Sequence, residues 1–294
     1  MTRDSLVVLI TGTSSGFGRR TAKTLAKRGH HVFASMRDID GNNAEAAEAM
    51  RTWAAAENAQ LEVVDLDITA QTTINDAIEQ ILTSAGRIDV VVNNAATATM
   101  GLLEAFSLDE VRASFETVAF GALRVDKAAL PTMRRQGSGL LIHVSSTGGR
   151  IIIPFVSPYS AAKAALEAFA EEFAFELIPF GIESVIVEPG GYLTEGIASG
   201  AMVSFPADQE VPAQYGDMAT RPQEMFAGFG DAFSGPDAPD PQQVADAIAD
   251  LIDLPAGERP LRTVVGTLMT AGVRELNEQY DKSRKELFTS LGVA

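Results

Sequence analysis

The sequence predicts an α/β protein: a doubly wound parallel sheet of about seven strands with helices on both faces, in a single domain over residues 1–294. Three observations carry this reading. Short β-branched runs alternate with longer amphipathic stretches along the chain, the rhythm of parallel strands joined by crossover helices. Several of the short runs are almost continuously apolar, as strands covered on both faces must be. The first of them leads directly into a glycine-rich turn and then a helix, so a tight turn feeds strand into helix.

The elements follow in order. SLVVLI (5–10) is the first strand and 17–28 the helix after its turn; HVFASM (31–36) precedes a helix over 42–58. LEVVDL (61–66), a helix over 70–85, IDVVVN (88–93) and a long helix over 107–136 continue the alternation. GLLIHVS (139–145), a helix over 158–179 and ESVIVE (183–188) complete six strands, and RTVVG (262–266) is the seventh. Residues 192–239 break the rhythm with many Gly, Pro and Phe and short helical fragments at most. A connection of that length inside a compact domain is expected to be a lid over a substrate. It ends at DPQQVADAIADLIDL, where Asp240 suits an N-cap, Pro241 the first helical position and Gln243 a capping box. The last segment, 271–291, reads as an amphipathic C-terminal helix.

Composition narrows the function classes. A chain of 294 residues, 46% hydrophobic and 21% charged, is long enough to bury a large core unaided. It has no cysteine, which excludes disulfides, thiolate zinc sites and a Cys nucleophile. A formal net charge of −16 repels nucleic acid and anionic membrane surfaces, so any phosphate site must be built locally. MTRDS runs straight into LVVLI, too short for a signal-peptide core, and no stretch reaches the length of a membrane span. A cytoplasmic location is expected.

The turn after the first strand reads TGTSSGFG, with glycines at 12, 16 and 18. They permit a tight turn and a close backbone approach, and N–H groups at the following helix start can hold a pyrophosphate. TG-x-x-x-G-x-G resembles the short-chain dehydrogenase/reductase family, and further landmarks recur in order across essentially the whole chain: Asp67 in DLDI, NNAA at 93–96 with Ala96 where the family has Gly, then Ser146, Tyr159 and Lys163, and PGGYLT at 189–194. The look is closest to the hydroxysteroid and retinol dehydrogenase branch. The resemblance implies a Rossmann-type sheet and a nicotinamide dinucleotide held by Gly12, Ser14, Ser15, Gly16, Phe17, Gly18, Asp67, Asn94, Ala95, Tyr159, Lys163, Pro189, Gly190 and Thr194. It also implies homo-oligomerisation through the helices over 107–136 and 158–179, the second with an apolar face including Phe169, Phe173 and Leu177. Those three residues face the sheet equally well.

Cofactor choice turns on ASMRD. An acid near the end of the second strand bonds the ribose 2′-OH of NAD, whereas a cation there accepts a 2′-phosphate. Met36 fills the acid's position and Arg37 follows it, which favours NADP(H) over NAD(H); Asp38, two residues past Met36, reverses the reading if the register slips.

By the same resemblance Ser146, thirteen residues before Tyr159, positions the substrate oxygen, Tyr159 exchanges the proton, and Lys163 bonds the nicotinamide ribose. A phenol near pKa 10 is a poor base at neutral pH, and a neighbouring ammonium favours its ionised form. The expected reaction interconverts a carbonyl and a secondary alcohol of a small, apolar substrate. Met202, Phe205, Met225, Phe226 and Phe229 either line an apolar pocket or pack beneath the long segment. His143 in its apolar strand reads as a packed core residue, His30 and His31 read as structural, and no metal site is expected. One residue departs from the family: Val118 stands in FETVAFG where an Asn is usual, which puts a lysine-linked proton relay in doubt. The alternative is therefore a non-catalytic dinucleotide-binding sensor or partner protein, against which the joint presence of Ser146, Tyr159 and Lys163 argues. A dehalogenase of related type is disfavoured by Lys163 and the intact glycine loop.

Overall fold

The computed structural model describes residues 5–233, 235 and 238–293. Seven strands form one parallel sheet: β1 (Val7–Ile10), β2 (His31–Met36), β3 (Leu61–Asp65), β4 (Val90–Asn93), β5 (Gly139–Val144), β6 (Ile182–Pro189) and β7 (Arg262–Val265). Their order across the sheet is β3-β2-β1-β4-β5-β6-β7. The chain winds outward from β1 to β3, then returns to place β4 on the other side of β1. That reversal opens a crevice at the carboxyl ends of β1 and β4, where ligands of such sheets bind.

The apolar strand runs are buried on both faces because helices cover each side. On one face, α1 (Gly16–Lys27) and α8 (Gln242–Asp253) press Leu25, Val244 and Ile248 against Val8, Ile10, Val92 and Ile142. On the other, α3 (Gln71–Ala85) and α5 (Gly121–Gln136) press Ile74, Ile81, Val125 and Met133 against Leu9, Phe33, Val91 and Leu141. The α2 helix (Ala44–Glu57) packs beside β3.

The expected helix over 107–136 is interrupted. A Ser107–Glu110 capping box starts α4 (Leu108–Phe115), and a π-helical turn over Glu116–Phe120 joins it to α5. The next helix, α6 (Ser157–Glu176), is followed by a 3₁₀ turn over Ile178–Phe180. Of its supposed apolar face, Leu177 is buried in the core and Phe173 packs against it; Phe169, half-buried, lies instead beside the Phe120 ring.

Residues 192–239 hold more structure than the sequence suggests. Glu195–Ala198 and Glu210–Ala213 are single turns, but α7 (Arg221–Ala232) is a twelve-residue helix. Val203–Ser204 also pairs in parallel with Ala98–Thr99. At the start of α8, Asp240 accepts from Gln242 N at 2.8 Å. Gln243 closes no capping box; its Oε1 accepts instead from the Tyr192 hydroxyl at 3.0 Å. The C-terminal helix is α9 (Val273–Leu291). No helix among the described residues is long and apolar enough to cross a membrane.

Candidate active site

A cleft of about 740 Å³ runs along the carboxyl ends of the strands. Gly12, Ser14, Ser15, Gly16 and Phe17 line it, with Arg37, Asp67, Asn94 and Ala95 and, from the loop after β6, Pro189, Gly190 and Thr194. Ser146, Tyr159 and Lys163 line the same cleft. Gly18 is the one expected cofactor residue that does not; it works from behind.

The glycine loop is drawn shut by its neighbours. Asn94 Nδ2 donates to the Thr11 and Gly12 carbonyls at 2.9 and 3.0 Å, while Asn94 N and Ala95 N both donate to Thr11 Oγ1 at 3.0 Å. A Cβ on Gly12, whose φ is +71°, would lie 2.8 Å from Ala95 Cα. One on Gly18 would lie 2.2 Å from the Gly12 carbonyl oxygen and 2.4 Å from Asn94 Nδ2. Side chains are thus excluded from this turn at both glycines. An anion already meets this loop: Glu195 Oε2 accepts from Gly16 N at 3.1 Å, and Arg19 and Arg20 bind the same carboxylate at 2.9 and 2.8 Å. Chiefly through Arg20, its pKa falls to about 2. These donors fit a dinucleotide phosphate.

At the β2 end, Arg37 and Asp38 are placed differently. Asp38 adopts φ +53° and turns its carboxylate to Asn42 N at 2.7 Å, so it closes its own loop. Met36, Arg37, Asn42 and Asn43 line the cleft, and Asp38 does not.

At the other end, α6 carries Tyr159 and Lys163 one turn apart. Lys163, 2% exposed, donates from Nζ to the Val144 carbonyl at 2.6 Å and lies 5.6 Å from the Tyr159 ring centroid. Tyr159 N donates to Thr99 Oγ1 at 3.0 Å, and Ser146 Oγ accepts from Gly148 N at 3.0 Å. Burial pushes the phenol up to about 12, the Ser146 hydroxyl acting in the opposite direction. Burial likewise brings the Lys163 ammonium down to about 7, opposed by Glu167. The bare chain therefore favours a protonated phenol.

Val118 is 1% exposed within the π turn and does not reach the cleft; its neighbour Thr117 does. His143 is fully buried, with Ser184 Oγ 3.2 Å from Nε2 and Asp126 Oδ2 3.8 Å from Nδ1. Burial holds it neutral, near pKa 3. Of the apolar residues in the long segment, Met202, Phe226 and Phe229 line the cleft, whereas Phe205, which meets the Phe226 ring edge-on, and Met225 do not. Phe233 and Met269 also line it and were not anticipated.

The short chain dehydrogenase family matches residues 6–200. The chain belongs to that family. This short-chain dehydrogenase is 35% identical to human retinol dehydrogenase 8 over 254 residues, 83% of this chain and 77% of that protein. It is 38% identical to human 17-beta-hydroxysteroid dehydrogenase type 1 over 189 residues, 63% of this chain and 56% of that one. Among solved structures, a short-chain dehydrogenase from Streptomyces avermitilis superposes with a TM-score of 0.76 at 32% identity over 98% of both chains. The likeness to the retinol and hydroxysteroid dehydrogenases is thus one of sequence, and the likeness of fold extends over almost the whole chain.

Sequence reasoning missed Asn42, Asn43, Thr99, Thr117 and Glu195. No local pattern marks them. Glu195 reaches Gly16 across 179 residues of chain, a separation that periodicity does not encode.

Proposed function

We propose that this oxidoreductase uses NADP(H) to interconvert a carbonyl and a secondary alcohol, with Tyr159 as the acid/base. One observation carries the reading: a single cleft joins the phosphate-accepting glycine loop and Arg37 at one end to Ser146, Tyr159 and Lys163 at the other. Arg37 supports NADP(H) because the competing acid, Asp38, is committed to Asn42 N at 2.7 Å. When bound, the reduced cofactor supplies a hydride equivalent to the carbonyl carbon.

The chain's own residues handle the proton. Ser146 orients the carbonyl oxygen, and Tyr159, protonated at neutral pH, gives it a proton. The Lys163 ammonium steadies the phenolate that remains and bonds the ribose. In alcohol oxidation the phenol must be ionised first. Lowering it from about 12 to neutrality requires roughly 7 kcal/mol, so charge added in the bound complex must supply most of that. Reduction is the direction for which the chain alone is prepared.

Met202, Phe226, Phe229, Phe233 and Met269 on the cleft wall support an apolar substrate, and residues 192–239 are proposed to act as the lid over it. Association of copies through α4, α5 and α6 is proposed on the exposed Leu108 and Phe120, in a cytoplasmic enzyme.

The test is a screen of apolar ketones and aldehydes with NADPH and NADH, read at the reduced-nicotinamide absorbance, together with Tyr159→Phe. The variant is expected to lose about 10²–10⁴-fold in kcat, the range of general acid catalysis, with NADPH affinity little changed. Retention of more than about a tenth of the activity would assign the proton to another group. Tight NADPH binding with no turnover anywhere in the screen favours the sensor reading.

A further inference from the structure

We propose that Glu167 is a positioning residue for Ser146 and Lys163, tying the end of β5 to α6 and keeping an anion one helical turn beyond the lysine. The proposal rests on the acid/base reading above.

Glu167 is 2% exposed in the middle of an alanine-rich helix. Ser145, the residue before Ser146, donates from Oγ to Glu167 Oε1 at 2.6 Å. One residue earlier, the Val144 carbonyl accepts from Lys163 Nζ at 2.6 Å. Two consecutive residues at the strand end are therefore bonded to two side chains four apart on α6. Gly149 shows how closely these parts are fitted. A Cβ there would lie 2.6 Å from Glu167 Oε1, 2.9 Å from Ser145 Oγ and 3.3 Å from Lys163 Cβ. The turn after Ser146 thus leaves room for this carboxylate only as glycine.

Charges from three other segments, and from its own helix, face Glu167. Arg262 of β7 approaches Oε2 from Nε at 3.4 Å, and Arg150, after β5, from Nε at 3.8 Å. Arg262 also binds Glu188 of β6, at 3.2 Å, and Glu171 of α6. From α9, Asn277 bridges Arg150 Nε at 2.8 Å and Glu188 Oε2 at 2.5 Å, while the Tyr280 hydroxyl donates to Glu171 at 3.1 Å. Three carboxylates share two guanidiniums. Burial, and after it the Glu167 carboxylate beside it, push Glu188 up to about 7. On the other side, Lys163 faces Tyr159, His143 and Glu167, and among the described residues only Glu167 supplies a negative charge that favours its ammonium. Removing the charge while keeping the shape should therefore make Lys163 lose its proton at lower pH.

The experiment compares Glu167→Gln with Glu171→Gln, which takes a carboxylate from the same network without touching Ser145. The chain has six lysines, so ¹³Cε-labelled lysine resolves each, with Lys163→Arg assigning the resonance. The Lys163 midpoint is expected to fall by about one pH unit in Glu167→Gln, the lower end of the effect of a close opposite charge, and by less than about a third of that in Glu171→Gln. Ser145→Ala retains the charge: the midpoint should hold while kcat falls by roughly fivefold or more, about the loss of one hydrogen bond. If Glu167→Gln does not fold, Glu167→Asp serves, since withdrawing the carboxylate by one methylene should lower the midpoint in the same sense. An unmoved midpoint, or equal shifts in Glu167→Gln and Glu171→Gln, overturns the proposal. The titration needs no turnover, so an inactive native chain would refute the acid/base reading without deciding the role of Glu167.

Discussion

Replacing Gly18 by Ala tests whether the glycine loop is closed as tightly as the structure indicates. In most helices that exchange stabilises, by up to about 1 kcal/mol. At residue 18 the new methyl would meet the Gly12 carbonyl oxygen at 2.2 Å and Asn94 Nδ2 at 2.4 Å. Neither is the free end of a flexible side chain. One is backbone, and the other is held by two hydrogen bonds to the loop, at 2.9 and 3.0 Å. Overpacking of this kind costs about 1–3 kcal/mol, and losing an Asn94 bond adds about 1. Set against the helix gain, the net is a destabilisation of about 1–3 kcal/mol. The strain also opens the loop proposed to hold the cofactor's pyrophosphate, so NADPH affinity should fall with it. Gly228→Ala in α7 is the control, because its Cβ would meet nothing within 4 Å, and it should stabilise by up to about 1 kcal/mol. Urea unfolding and fluorescence titration with NADPH measure both variants. A Gly18→Ala chain as stable as the native one, with unchanged affinity, would refute the closed-loop argument.

Three further outcomes are expected. Arg37→Glu should weaken NADPH by about 1.5–3 kcal/mol, the scale of a charge-assisted hydrogen bond, and spare NADH; equal losses in titrations with both cofactors would remove Arg37 from the 2′-phosphate site. Val118→Asn should change kcat by no more than about tenfold, or 1.4 kcal/mol of barrier, while lowering stability, since the amide enters a fully packed site; strong activity seen only in the variant would mean that valine silences the native chain. Burial raises Asp126 from 3.8 to about 7, so the folded chain holds a proton that the unfolded chain releases near pH 4. Its contribution to stability is full below pH 4 and is lost as pH rises through about 7. Asp126→Asn should therefore raise Tm, relative to the native chain, more at pH 8 than at pH 5, and an equal change at both would contradict the sign.

The sheet was legible because its strands are short apolar runs separated by amphipathic helices, a pattern written between near neighbours. The position of the glycine loop after β1, and of a tyrosine and a lysine one turn apart on a helix, could be read for the same reason. Helix faces could not. Phe173 and Leu177 turn to the core while Phe169 does not, a choice made by how α6 packs on the sheet. Gln243 shows the limit of local motifs: the capping-box pattern was present, but Tyr192, 51 residues away, captures the side chain at 3.0 Å. The β2 end of the cleft was ambiguous in sequence because Arg37 and Asp38 are adjacent; in the fold Arg37 lines the cleft, while Asp38, at positive φ, turns its carboxylate onto Asn42 N. Glu195 and Glu167 had no signal at all. Each meets its partners across long spans of chain, 179 residues to Gly16 and 95 to Arg262. Periodicity records which residues share a strand or helix face, so the sequence alone determined the elements and the local motifs. Which charges meet at the ends of those strands depends on the packing of distant segments, and that was decided by the tertiary structure.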